Sequence, residues 1–176
     1  TVMTFVQNVR AICVALAVAA FIPPAQAEVA TSISDASRIV AIGGSLTEIV
    51  FALGEERRLI ARDSTSIYPQ EVFSLPDVGY MRAISPEGVL GINPDAILTL
   101  DGSGPPEAIE VLKKASIPFV TVPDDFDEAG ILAKIETIGA ALGVKSKADS
   151  LAAEVKADID AALAKIMQEQ DEAQQK

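Results

Sequence analysis

Four short runs rich in branched apolar residues, at 38–42, 58–62, 95–100 and 118–122, are spaced along the chain, and the stretches between them repeat apolar residues at steps of three or four. The runs are too short for helices and read as strands; the stretches between read as helices with one apolar face. The first run ends at Gly43-Gly44. Ser45-Leu46-Thr47-Glu48 then has the form of a capping box in front of Ile49, Val50, Ala52 and Leu53, with Gly54 as the stop. The second run opens into the polar loop Asp63-Ser64-Thr65-Ser66. Further on, Ser85-Pro86-Glu87 starts a short helix with proline at its first position. Asn93-Pro94 turns into the third run, and Asp101-Gly102-Ser103-Gly104 leads to a helix over 105–115. After the fourth run a helix extends from about 127 to 142, with Gly143 behind it. Strands alternating with helices predict an α/β fold over 38–143: a Rossmann-like, mostly parallel four-stranded sheet flanked by helices, with ligands expected outside the carboxyl ends of the strands.

The two ends of the chain differ from this middle. Ala148, Leu151, Val155, Ile159, Leu163 and Ile166 keep steps of three or four, which predicts a single helix of about 20 residues, roughly 30 Å long, within 145–170. The polar segment 168–176 is expected to fray. At the other end, Arg10 precedes an apolar run over 11–22 and then Pro23-Pro24-Ala25-Gln26-Ala27. That is the layout of a secretory signal peptide over 1–27, cleaved after Ala27. The run is shorter than the ~20 residues that span a bilayer. Cys13 lies inside it, away from the cleavage point, so a lipid-anchored cysteine at the new N-terminus is not expected. The reading is a soluble exported protein.

Charge and composition narrow the chemistry. The chain carries a net charge of −11, and loss of Arg10 with the leader makes the mature chain one unit more negative. Nucleic acids and anionic membranes need clustered Lys and Arg, so neither is an expected partner. The 149 residues after Ala27 suit one domain with its own core. There is no His in the chain and no Cys after the leader. A disulfide framework, thiol chemistry, a Ser-His-Asp triad and the usual zinc ligand sets are thereby excluded.

Several local patterns have plain readings. Ile42-Gly43-Gly44-Ser45 lacks the third glycine and the lysine of nucleotide loops, and reads as a turn that lets helix and strand approach. Asp124, Asp125, Asp127 and Glu128 lack the glycine and spacing of a calcium loop, and read as a solvated loop with acids at a helix N-terminus. Arg57-Arg58 reads as a solvated edge. The segment Leu75-Pro76-Asp77-Val78-Gly79-Tyr80-Met81-Arg82-Ala83-Ile84-Ser85-Pro86-Glu87 is different: a Pro/Gly-framed loop, poor in helix or strand signal, with a tyrosine and an arginine two residues apart. Such loops held between rigid elements are where ligand-binding residues sit. On residue type alone the plainer reading is favoured, with Tyr80 covering an apolar edge and Arg82 in water, because exposed Tyr and Arg are common.

Three stretches carry a resemblance: Arg38-Ile-Val-Ala-Ile-Gly-Gly-Ser-Leu-Thr-Glu48, Leu75-Pro-Asp-Val-Gly-Tyr-Met-Arg82, and Ser85-Pro-Glu-Gly-Val-Leu-Gly-Ile-Asn-Pro-Asp-Ala-Ile-Leu98 with its continuation to Leu100. Together they resemble the periplasmic hemin-binding proteins of bacterial haem ABC importers. These belong to a wider class of substrate-binding proteins that also delivers cobalamin and ferric siderophores. The Asn-Pro-Asp-Ala-Ile segment is typical of the whole class; Gly79-Tyr80-Met81-Arg82 points to its haem branch. The resemblance implies a carrier rather than an enzyme, a monomer in the periplasm that binds haem and delivers it to an inner-membrane permease. It implies Tyr80 as axial ligand to the ferric iron, in keeping with a hard phenolate donor for a hard metal, with Met81 as a softer and less suitable neighbour. Arg82 would favour the phenolate or pair with a haem propionate. Glu87 has two readings, a docking acid for the permease or an ordinary first-turn acid. The family has two lobes joined by a long helix, so the chain would comprise the N-terminal lobe and the connecting helix without the second lobe, and haem affinity below that of a two-lobed member is expected. A siderophore or cobalamin carrier is the nearest alternative; an exported Rossmann-like enzyme is the more distant one.

Overall fold

Ile39, Val40 and Ile42 are β-branched, and a four-residue apolar run of this kind is at home in the middle of a sheet, buried on both faces. That is where it lies in the computed structural model, which describes residues 32–174. The chain runs β1 (Ile39–Ile42), α1 (Gly44–Ala52), β2 (Leu59–Arg62), α2 (Pro86–Leu90), β3 (Ala96–Leu100), α3 (Pro106–Lys113), β4 (Phe119–Val122), α4 (Glu128–Leu142) and α5 (Lys145–Gln174). The sheet order is β2-β1-β3-β4 and every pairing is parallel. The expected four-stranded α/β sheet is therefore present. The segment read as a signal peptide, 1–27, lies outside the described residues.

Alternation along β1 divides the core in two. Ile39 and Ala41 face a cluster built with Leu46 and Val50 of α1, Ile135, Ile138 and Leu142 of α4, and Ala148 of α5. Val40 and Ile42 face the other cluster, with Val89 of α2 and Leu112 of α3. Each large side chain fully buried in this way contributes about 1.5–3 kcal/mol. All four residues of β1 are inaccessible to solvent, so this strand anchors both layers. The α4–α5 crossing is unusually close: a Cβ on Gly139 would overlap that of Ala148.

Three local expectations are corrected. The Ser45–Glu48 capping box does not form, because α1 begins earlier, with Gly43 as its N-cap and no side-chain cap. Gly43 adopts φ 123°, and a Cβ there would lie 2.8 Å from Leu100 Cβ, so only glycine lets the turn pass so near β3. The first N–H groups of this turn are served from another segment: Gly43 N donates to Asp63 Oδ1 and Gly44 N to Thr65 Oγ1, each at 3.0 Å. Arg58 is not a solvated edge. Its guanidinium donates to the carbonyls of Ala36 (2.8 Å), Ile33 (2.5 Å), Ser34 (3.0 Å) and Leu142 (3.0 Å), tying the lead-in to β1 to the end of α4. α5 has 30 residues, about 45 Å, rather than about 20, and the segment expected to fray is helical as far as Gln174. Its Ala, Glu, Gln and Lys residues are strong helix formers, and that propensity prevails over their polarity.

Candidate functional site

Four strand ends converge at the carboxyl edge of the sheet, and buried polar groups fix the loops that leave them. Asp63, wholly buried just after β2, accepts four hydrogen bonds: from Gly43 N (3.0 Å) and Ser66 Oγ (2.9 Å) on one oxygen, and from Thr65 N (3.0 Å) and Thr65 Oγ1 (2.7 Å) on the other. A carboxylate with four donors needs no counter-ion to stay satisfied. It welds the turn after β1 to the loop after β2.

The tyrosine loop is built on this base. It first runs beside β2, with Arg62 N donating to Pro76 O (3.0 Å), Val78 N to Arg62 O (2.9 Å) and Ser64 N to Gly79 O (2.9 Å). Asp77 accepts from Arg62 Nη1 at 2.9 Å and from Gly79 N at 2.8 Å, while the Arg62 guanidinium lies 5.2 Å from the Phe73 ring centre. Gly79, at φ 104°, turns the chain outward. Tyr80, Met81, Arg82 and Ala83 then form a turn closed by Ala83 N donating to Tyr80 O at 2.7 Å. Met81 packs against both core clusters, and its carbonyl accepts from Gly104 N at 2.9 Å. The Met81 thioether also lies 4.0 Å from Thr65 Oγ1. Ile84 N donates to Gly104 O at 2.9 Å, completing attachment to the segment after β3.

Tyr80 is thus held by a rigid frame with its own side chain 49% exposed. Arg82 is exposed on the same turn, and no hydrogen bond or ion pair joins it to Tyr80 among the described residues. Glu87 is the second residue of α2, exposed, and its carboxylate accepts from Ser85 Oγ at 2.9 Å. Its own backbone N–H and the Ser85 hydroxyl hold its carboxyl below the usual Glu range, so it is anionic at neutral pH.

Two further aromatic residues occupy this edge that the sequence reading did not single out. Tyr68, 65% exposed, stands in the loop after β2, and Phe126, 93% exposed, in the loop after β4. Tyr68 also borders a groove of about 350 Å³ lined by Ile49 of α1, Ile131 and Ile135 of α4, and Leu151 and Val155 of α5. A phenol in the loop that leaves a strand's carboxyl end was a signal available for Tyr68; a lone phenyl in an acidic run was the signal for Phe126. The acidic cluster around it is more ordered than a solvated loop: Asp124 pairs with Lys134 at 2.5 Å, Asp127 caps α4 through Gly130 N at 2.7 Å, and Glu128 pairs with Lys156 at 2.9 Å. Among the described residues, no group of three or more acidic side chains is arranged to hold a metal ion, and no helix is long and apolar enough to cross a membrane.

Comparison with known proteins adds the following. Residues 39–174 match a family model described as "Periplasmic binding protein". The apo structure of the periplasmic haem-binding protein RhuT from Roseiflexus sp. RS-1 superposes with a TM-score of 0.70 at 36% identity, covering 72% of this chain and 48% of that one. An uncharacterized ABC transporter substrate-binding lipoprotein of Bacillus subtilis (strain 168) is 35% identical over 124 residues, 69% of this chain and 39% of the relative. A vitamin B12-binding protein of Yersinia pestis (strain Pestoides F) is 31% identical over 94 residues, 53% of this chain and 34% of the relative. The chain spans about half the length of the matched solved structure, and less of these two relatives.

Proposed function

The chain belongs to the periplasmic binding protein family, whose members bind substrates for transport rather than transform them, and on that premise we propose that it binds ferric haem at the carboxyl edge of its sheet, with Tyr80 as the iron ligand. The observation that carries the reading is the Tyr80 turn: a phenol half out of the surface, on a loop pinned to β2 through Asp77 and Gly79 and to the segment after β3 through Met81 and Ile84. A phenolate is a hard anionic donor, and ferric iron is a hard acceptor that lowers the phenol's proton affinity on binding. The similarity to a haem-binding protein at 36% identity over 72% of the chain supports haem over other cargoes.

In this reading Arg82, exposed beside Tyr80, meets a haem propionate or the phenolate oxygen. Glu87 presents a fixed negative charge to the permease of an ABC importer, and the protein works as a periplasmic monomer exported by the 1–27 signal peptide. The 38–143 lobe supplies one wall of the site and α5 is the connecting helix. Haem is cargo here, and no chemical turnover is assigned to the chain.

A corrinoid is the second reading, favoured by the 31% identity to a vitamin B12-binding protein. Titration of ferric haem and, separately, of cyanocobalamin into the purified chain, followed by absorption, separates the two. A haem-dependent spectrum with a tyrosinate-to-iron band that disappears in Tyr80→Phe is the expected result; saturable binding of cyanocobalamin without haem binding would replace this reading with the second.

A further inference from the structure

We propose that Phe126 is a second ligand-contacting residue, its ring lying against the face or edge of the same planar macrocycle that Tyr80 ligates; this rests on the haem reading above. Phe126 is 93% exposed, the most exposed of the large apolar residues among the described residues. Such exposure is unremarkable in a loose loop, but this loop is clamped on both sides of the ring. It begins at Val122, whose carbonyl accepts from Asp101 N at 2.8 Å. Asp124 is held by the mostly buried ammonium of Lys134 at 2.5 Å. Asp125 packs so closely beneath α4 that a Cβ on Gly130 would lie 2.6 Å from the Asp125 carbonyl oxygen. Asp127 accepts from Gly130 N at 2.7 Å as the N-cap of α4. Asp124, Asp125 and Asp127, with Glu128 paired to Lys156 at 2.9 Å, thus hold the segment on both sides of Phe126 by packing, capping or ion pairing, while the apolar phenyl ring stands in water.

Position supplies the second part of the argument. Phe126 follows the carboxyl end of β4, the edge of the sheet from which the Tyr80 turn also rises. The Tyr80 loop is attached to β2 and to the segment after β3, so its anchor points lie one to three strand spacings from β4, about 5–14 Å. That span falls within the width of a porphyrin with its substituents. An aromatic ring contributes to holding such a ligand by offset stacking or edge-to-face contact, without the iron.

The test uses the purified chain and ferric haem. Phe126→Ala should bind haem about tenfold more weakly while keeping the tyrosinate-to-iron band of the wild type, because ligation is intact. Phe126→Trp should restore affinity, and the thermal midpoint of either variant should match the wild type, since the ring buries almost nothing in the free protein. Unchanged haem affinity in Phe126→Ala, or loss of the iron band as in Tyr80→Phe, would overturn the proposal and leave the haem reading standing. Absence of any haem-dependent spectrum in the wild type overturns both.

Discussion

Arg62, at the carboxyl end of β2, and Asp77, at the start of the tyrosine loop, meet at 2.9 Å with the arginine side chain only 10% exposed. The same carboxylate also accepts from Gly79 N at 2.8 Å, so one side chain neutralises a buried cation and sets the turn from which Tyr80 projects. Asp77→Ala leaves Arg62 without its carboxylate and the glycine N–H without its acceptor. The expected loss is about 1–3 kcal/mol, read as a lower urea midpoint at constant slope, accompanied by weaker haem binding. A variant with wild-type affinity would show that the turn holds without this pair.

Tyr68 and Tyr80 are the two phenols among the described residues, and both are exposed at the same edge. Only Tyr80 stands on a turn fixed to two strand ends, so Tyr68→Phe should retain the tyrosinate-to-iron band and Tyr80→Phe should lose it. Absorption spectra of the two haem-loaded variants decide the assignment; the reverse outcome would transfer the ligand role to Tyr68.

Gly139 and Ala148 mark the crossing of α4 and α5, where an added methyl has no room. Gly139→Ala gains up to about 1 kcal/mol of helix propensity but overpacks the crossing at a cost of about 1–3 kcal/mol. Net destabilisation is expected in urea melts, with recovery when Ala148→Gly is added. Additive effects of the two substitutions would disprove direct contact.

Glu55 accepts from Lys147 of α5 at 2.7 Å and from Arg58 at 3.3 Å. The Lys147 hydrogen bond is the main cause that holds its carboxyl below the usual Glu range; burial opposes it and Arg58 reinforces it. With the folded-state proton affinity depressed, the stabilisation is complete above the unfolded Glu pKa of about 4.3 and declines as pH falls through the lower folded value. Urea midpoints measured from about pH 6 down to about pH 3 should therefore fall less steeply in Glu55→Gln than in the wild type. Equal pH slopes would remove Glu55 as a contributor.

The strands and the helix order were legible because each is encoded locally, by branched runs and by glycine, proline and Asx punctuation; Asp127 and Gly143 bound α4 as the residue types predict. What escaped notice depends on partners distant in sequence. Ser45-x-x-Glu48 has the form of a cap, but the N–H groups at the start of α1 are served by Asp63 and Thr65, about twenty residues away. Arg58 reads as solvated until Leu142 O, 84 positions along the chain, is brought beside it. The site divides in the same way. Tyr80 and Arg82 stood out in a short window by their loop, whereas Tyr68 and Phe126 become neighbours of that loop only because a parallel sheet sends every strand's carboxyl end to one edge.

The Gly139–Ala148 contact lies near one end of α5, and the helix continues to Gln174, about 39 Å beyond the crossing at 1.5 Å per residue. A stiff rod pivoting at such a point magnifies angle into distance: a tilt of about 5° at the crossing sweeps the far end through about 3 Å. The absence of a single Cβ at position 139, together with Leu151 and Val155 packed on the core and Lys156 paired to Glu128, therefore sets the aim of the rod, and with it the place at which anything seated on the distal turns would come to rest.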